Sequence, residues 1–436
     1  MKKTVMRSYA KLIVRVGANV QKGQEVRVFA SLDQPEFIKM LAEECYKAGA
    51  SRVTVDWNYP ELTKLSARYM KLRDLSETRE WEKARMQDMV DHLPVRIFIE
   101  SEDPDGLRGI NPKYFKAFAA RIKISKPYRD AIDNKHQWCI AAVPGEAWAK
   151  KVHPELSKRA AVEQLWKDIL YTARADGEDP IADWEEHNRD LKARSKYLND
   201  LHLRELRYHS ANGTDFKVGL IPTAEFHAGR DKTMQGVVYD PNMPTEEVFT
   251  SPDRRTAEGI VYATKPLSYQ GQLIENFSVR FEKGRAVEVK AEKGQDVLEQ
   301  IISMDEGCHY LGECALVPKE SPIHQSGLLF YNTLFDENAA CHLALGFGFD
   351  ECVKGFENMT KEELYEIGVN DAGNHTDFMI GSDDLSIDGV DERTPSSATA
   401  PGHSKMPHSL REVARRRRDG RSGFFYVPQL FRRFDS

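Results

Sequence analysis

The stretch EVRVFASLDQPEFIKMLAEECYKAGASRVTVD, residues 25–56, sets the expected architecture of the first half of the chain. Over 25–30 polar and apolar side chains alternate, the period of a strand with one face buried. Gln34-Pro35 then opens a helical run over 36–48. Pro35 sits near the first turn, where its missing N–H is harmless, and Gly49 is a good C-cap. Residues 52–56 return to a strand pattern. Two strands separated by a helix read as parallel neighbours. Working outward, the same texture gives helices over 74–90, 112–124 and 160–173 and strands over 95–100 and 138–143. The prediction is an α/β N-terminal domain, residues 1–190, with a parallel sheet flanked by helices. A polar helix over 183–201 links it to the second half of the chain. Gly17, Gly23 and Gly106 are single turn glycines and not a phosphate-cradling loop, so dinucleotide binding is not expected.

Beyond the link, strands and turns take over: 203–209, 214–220, and 278–282 with 286–291 flanking the hairpin signal Lys283-Gly284-Arg285. Helices are expected over 295–304 and over 361–366, the second behind Thr360 as N-cap. The reading is a β-rich α+β domain over 191–390. From 391 to 436 the chain turns low in complexity and basic, with four arginines at 415–418, and is expected to be disordered. That tail holds ten Lys/Arg against five Asp/Glu, or +5, so with −6 for the whole chain the preceding residues carry −11.

A chain of 436 residues exceeds one ordinary core, and 41% hydrophobic with 30% charged residues describes a soluble globular protein. No apolar run is long enough to cross a bilayer, and the basic start lacks the apolar region of a secretory signal. Six cysteines without C-x-x-C spacing fit free thiols in a reducing cytoplasm. The negative net charge argues against nucleic acid as the main partner.

The densest chemistry lies in 328–381, LLFYNTLFDENAACHLALGFGFDECVKGFENMTKEELYEIGVNDAGNHTDFMIG. His375 and Asp377 are two apart in a strand pattern, so both can reach one cation while Thr376 faces away. Imidazole with carboxylate suits a divalent ion at a hydrolytic site. Glu313 sits in the middle of the apolar run YLGECALV, 310–317. Its charge is costly to bury without a cation or a donor, and an arginine partner would serve as well as a metal. In PTEEVFTSP, 244–252, Glu246 and Glu247 are neighbours, so only one of them enters any one site.

PTEEVFTSP, LGECALV, LFYNTLFDENAACHLALG and GVNDAGNHTDFMIGSDDLSIDG resemble, in order, the signatures of the aminopeptidase T and aminopeptidase S family of metalloaminopeptidases. The likeness extends upstream through VGANVQKGQEV, DPDGLRGINP and WCIAAVPGEAWAKKV and spans roughly residues 1–390. It implies two divalent ions (zinc, cobalt, manganese or magnesium) held by Glu247, Glu313, Glu337, His342, His375 and Asp377. Glu313 would bridge the ions, and Glu337 would be a further ligand or the base that activates water. The implied substrates are short peptides with a free N-terminus, and the implied assembly is a homodimer enclosing the site. There are two departures. Phe349 stands where the family carries a tyrosine, and the chain runs on past its Ile387-Asp388-Gly389 where relatives close. These motivate an alternative, a catalytically impaired relative that binds peptides or other partners.

Overall fold

The computed structural model describes residues 1–391. The expected tail therefore lies outside the described residues, except Asp391, which closes the last strand, Ser386–Asp391. The 25–56 unit folds as its pattern requires. Strands Glu25–Ser31 and Arg52–Asn58 are parallel neighbours, with helix Pro35–Ala48 between them in sequence. Pro35 is in the first turn, and Gly49 ends the helix at φ 104°, which a side chain would make costly. Val95–Glu100 pairs on the other side of the first strand and Trp138–Ala142 beyond it, all parallel. Val26, Val28, Val95, Ile97 and Ile99 are buried from alternate positions against Leu41 and Trp166.

The structure adds helices Lys3–Leu12, Pro60–Tyr69 and Glu146–Val152 to the expected pattern and departs from it in other places. The helix over 74–90 is two, Leu72–Ser76 and Glu80–His92. The helix over 112–124 runs instead over Lys113–Ile132, through Pro127, and its last turns are tied by Lys126 and Arg129 to residues 371–373. A fifth parallel strand, Asn242–Met243, comes from far downstream and adds to Trp138–Ala142. Phe330, Leu334 and Phe335 also pack into this first core, and the Trp148 indole donates to the Phe330 carbonyl at 2.6 Å.

Among the described residues the second half holds two main antiparallel sheets and a two-stranded one, Asp231–Lys232 with Val238–Tyr239. The larger of the two main sheets includes Leu203–His209, Asp215–Gly219, Glu258–Tyr262 and the hairpin Gln272–Glu282/Arg285–Lys293, with Ser386–Asp391 at its edge. The smaller runs Val248–Thr250, Leu311–Leu316, His342–Gly346, His375–Met379. Its two faces differ sharply. Val248, Cys314, Leu343, Leu345 and Phe378 point into the second apolar core. The other face carries the ionisable residues.

Candidate metal centre

In the smaller sheet the register aligns Glu313 with Ala344 and Ala344 with Asp377, so two carboxylates flank one methyl on the same face. His375 lies opposite Gly346, and His342 shares the face two residues before Ala344. Glu247 immediately precedes its strand and sits two residues before Phe249, which is opposite Ala315. Small residues on the central strand leave room above it. A register shift between Leu311 and Glu313 sends Leu311 to the core face and Glu313 to the site face, although two residues apart would ordinarily share a face. The extra residue is Gly312, where a Cβ would stand 2.2 Å from the Phe347 carbonyl oxygen.

The side chains converge in two groups that share Glu313. His342 Nε2 is 3.0 Å from a Glu247 oxygen and 3.9 Å from Glu313 Oε1. His375 Nε2 is 3.0 Å from Glu313 Oε2 and 3.2 Å from Asp377 Oδ1. Within each group the candidate ligand atoms all lie within 4.8 Å of one another. Both imidazoles turn Nδ1 to backbone carbonyls: His342 to Glu337 at 2.9 Å, His375 to Phe347 at 2.6 Å. Such bonds fix the tautomer that leaves Nε2 free to coordinate.

Glu337 belongs to neither group. Its carboxyl hydrogen-bonds that of Asp377, and two carboxyls share such a bond only when one is protonated. Burial, followed by the charges of Asp377, Glu247 and Glu313, holds Glu337 well above the usual carboxylate range. Burial, with Glu247 and Asp377 nearby, pushes Glu313 up to about 7 despite the His375 hydrogen bond. For His342 burial opposes charge, yet Glu247, Glu313 and Asp377 raise it to about 9. Four acids and two imidazoles thus hold one another's charge without any lysine or arginine among them. The donor set fits a divalent cation, since Nε2 and carboxylate oxygens face each other where an ion would replace shared protons.

Glu246 turns the other way, as neighbouring extended residues do, and pairs with Arg174 at 2.6 Å. Phe349 lies beside His375, ring centroids 4.9 Å apart, and forms an apolar wall with Phe249 and Phe347. His227 reaches only the edge of that wall through Phe249, and His324 turns to the Ala339 carbonyl. Cys308-His309 lies in a short 3-10 turn, with Cys308 bonded to Asp305 and Asn374. The sequence reading missed two residues around this centre. Asn338 accepts from the Glu246 amide and donates to the Leu334 carbonyl, bracing the segment between two ligands. Arg129 reaches the loop before His375 from the other half of the chain. Its only sequence signal is its distance from any motif, which is no signal.

The model of the family described as thermophilic metalloprotease (M29) matches residues 2–397. Aminopeptidase AmpS of Bacillus subtilis is 42% identical over 388 residues, 88% of this chain and 94% of its own length. Aminopeptidase T of Thermus thermophilus is 40% identical over 391 residues, 88% of this chain and 95% of its own. The solved structure of wild-type AmpT from Thermus thermophilus superposes with a TM-score of 0.80 at 38% identity, covering 89% of this chain and 96% of that one.

Proposed function

Because the chain belongs to the thermophilic metalloprotease (M29) family of aminopeptidases T and S, and is thereby a metallo-aminopeptidase, we propose that it releases N-terminal residues from short peptides through a water activated by two divalent ions. The observation that carries the two-ion reading is the division of Glu313, one oxygen toward His342 and the other toward His375. Glu247 and His342 would hold one ion and His375 and Asp377 the other, with Glu313 common to both groups. Zinc, cobalt, manganese and magnesium all suit this set to different degrees. When bound, the pair acidifies a water and polarises the scissile carbonyl.

The chain's own residues do the rest. The Nδ1 bonds to the Glu337 and Phe347 carbonyls hold both imidazoles in line. Glu337, outside both groups and hydrogen-bonded to Asp377, would carry a proton from the attacking water to the leaving amine once bound ions have displaced the proton it shares with Asp377 and left it a carboxylate. Phe249, Phe347 and Phe349 exclude water from one side of His375. The proposal includes a cytoplasmic homodimer and two domains, 1–190 and 191–390, with Asn242–Met243 and Phe330–Phe335 reaching across between them. Among the described residues no helix is long and apolar enough to cross a membrane. The relatives, all aminopeptidases by name, do not favour the binding-protein alternative.

Dialysis against a chelator should abolish release of amino acids from dipeptides, and a divalent ion should restore it. Glu313→Gln should lower turnover by more than about 100-fold, since even indirect supports of a metal cost 10–100-fold. Chelator-resistant turnover, or wild-type turnover in Glu313→Gln, would overturn the reading.

A further inference from the structure

One face of the helix Lys113–Ile132 grips the loop that leads into His375. Ile122, Lys126 and Arg129 are spaced i, i+4, i+7 and so line a single stripe. Lys126 pairs with Asp371 at 2.8 Å. Arg129 donates through one terminal nitrogen to the Ala372 carbonyl at 3.0 Å and through the other to that of Gly373 at 3.3 Å. Ile122 stands 3.0 Å from where a Cβ on Gly373 would be, so the loop is pressed against the helix. The Arg129 guanidinium also lies 5.0 Å over the ring of Phe347.

These contacts meet at one imidazole. Ala372 and Gly373 run directly into Asn374-His375, and the Asn374 carbonyl accepts from the Phe347 amide at 2.8 Å. The Phe347 carbonyl in turn accepts the Nδ1–H of His375 at 2.6 Å. Arg129 therefore fixes both the segment that carries His375 and the residue that orients its ring. We propose that Arg129 is a positioning residue for the metal centre, setting His375 from the opposite half of the chain. A planar guanidinium donates to two carbonyls in its plane while stacking on a ring; an ammonium cannot do both. The inference rests on the two-ion metal centre proposed for this chain.

The test uses cobalt(II) as probe, titrated into the metal-free full chain and followed by visible absorption. Arg129→Met should weaken cobalt affinity by about tenfold or more and alter the absorption bands. In the loaded protein it should lower kcat with KM near wild type. Arg129→Lys should fail to restore affinity, while Lys126→Gln, which leaves the fork and the ring contact intact, should bind as wild type does. Wild-type cobalt affinity and spectrum in Arg129→Met, or full restoration by lysine, would overturn the inference while leaving the metal centre standing. If the wild-type chain itself took up no cobalt, the metal centre and this inference would both be overturned. If Arg129→Met does not fold, Arg129→Lys decides alone: weakened affinity supports the role and wild-type affinity refutes it.

Discussion

Phe349 stands with its ring centroid 4.9 Å from that of His375, at the position where the family carries a tyrosine. A phenyl group neither donates a hydrogen bond nor coordinates, so charge developing on the reacting carbonyl gains nothing from it. A well-aimed donor at such a place is worth about 10²–10³ in turnover. Phe349→Tyr should therefore raise kcat toward dipeptides, by about tenfold at least if the new hydroxyl is aimed well, with little change in KM. Unchanged or lower kcat would show that the wall is already used for packing. Glu100 gives a prediction about stability. Burial, then the charge of Glu102, raises its carboxyl to about 7, although Asn332 donates to it at 2.5 Å. The folded state thus keeps a proton that the unfolded chain releases near 4.5. The contribution is fully present below pH 4.5 and is lost as pH rises through 7. Glu100→Gln should flatten that loss, gaining about 1–2 kcal/mol over wild type at pH 8 relative to pH 5 in urea unfolding of the metal-free protein. Parallel pH profiles for the two proteins would refute it.

At the scale of elements, the smaller antiparallel sheet depends on Gly312. The bulge there lets Leu311 fill the core while Glu313 turns to the ligands. Gly312→Ala would force a Cβ to within 2.4 Å of the carbonyl oxygens of both Gly346 and Phe347. The strand must shift, costing roughly 1–3 kcal/mol as overpacking does, and carrying Glu313 off its register. Both the melting temperature and metal uptake should fall; a variant with wild-type values for both would show the bulge to be incidental. This element also marks what the sequence could and could not disclose. His375 and Asp377 sharing a face follows from a period of two, and the strand carrying them is His375–Met379. The separation of Glu246 from Glu247 follows in the same way. The bulge does not, because a count of two from Leu311 to Glu313 predicts one shared face and the chain does the opposite. The two-residue strand Asn242–Met243 was equally hidden, being too short to carry any period. The helix extended past Pro127 because its last turns are held by residues some 240 positions away, a force that local propensity does not contain.

Across the whole molecule, both flanks of the metal centre are held by arginines from the first half of the chain. Arg174 pairs with Glu246, next to Glu247, and Arg129 holds the loop before His375. The position of one half on the other therefore bears on the ligands directly. The same half presents a surface that one copy leaves uncovered. In helix Pro60–Tyr69 only Ala67 is buried, while Leu62, Leu65 and Tyr69, at i, i+3 and i+7, form an apolar stripe facing solvent. Leu72 and Trp81 are exposed on the next two helices. A surface helix ordinarily turns such a stripe inward, and an outward one marks a contact surface. We propose that a second copy covers it, giving the homodimer. Light scattering on a sizing column should give a mass twice the 49.8 kDa of the chain. Leu65→Glu with Tyr69→Glu, which places two charges in the stripe, should give the single-chain mass without loss of helix content by circular dichroism. If the wild-type chain ran as a monomer at micromolar concentration, or if the double variant stayed dimeric, this face would not be the interface. A dimer enclosing the site also predicts discrimination by size. The dissociated variant, whose ligands all come from one chain, should still cleave dipeptides and should lose part of the wild-type bias against long peptides.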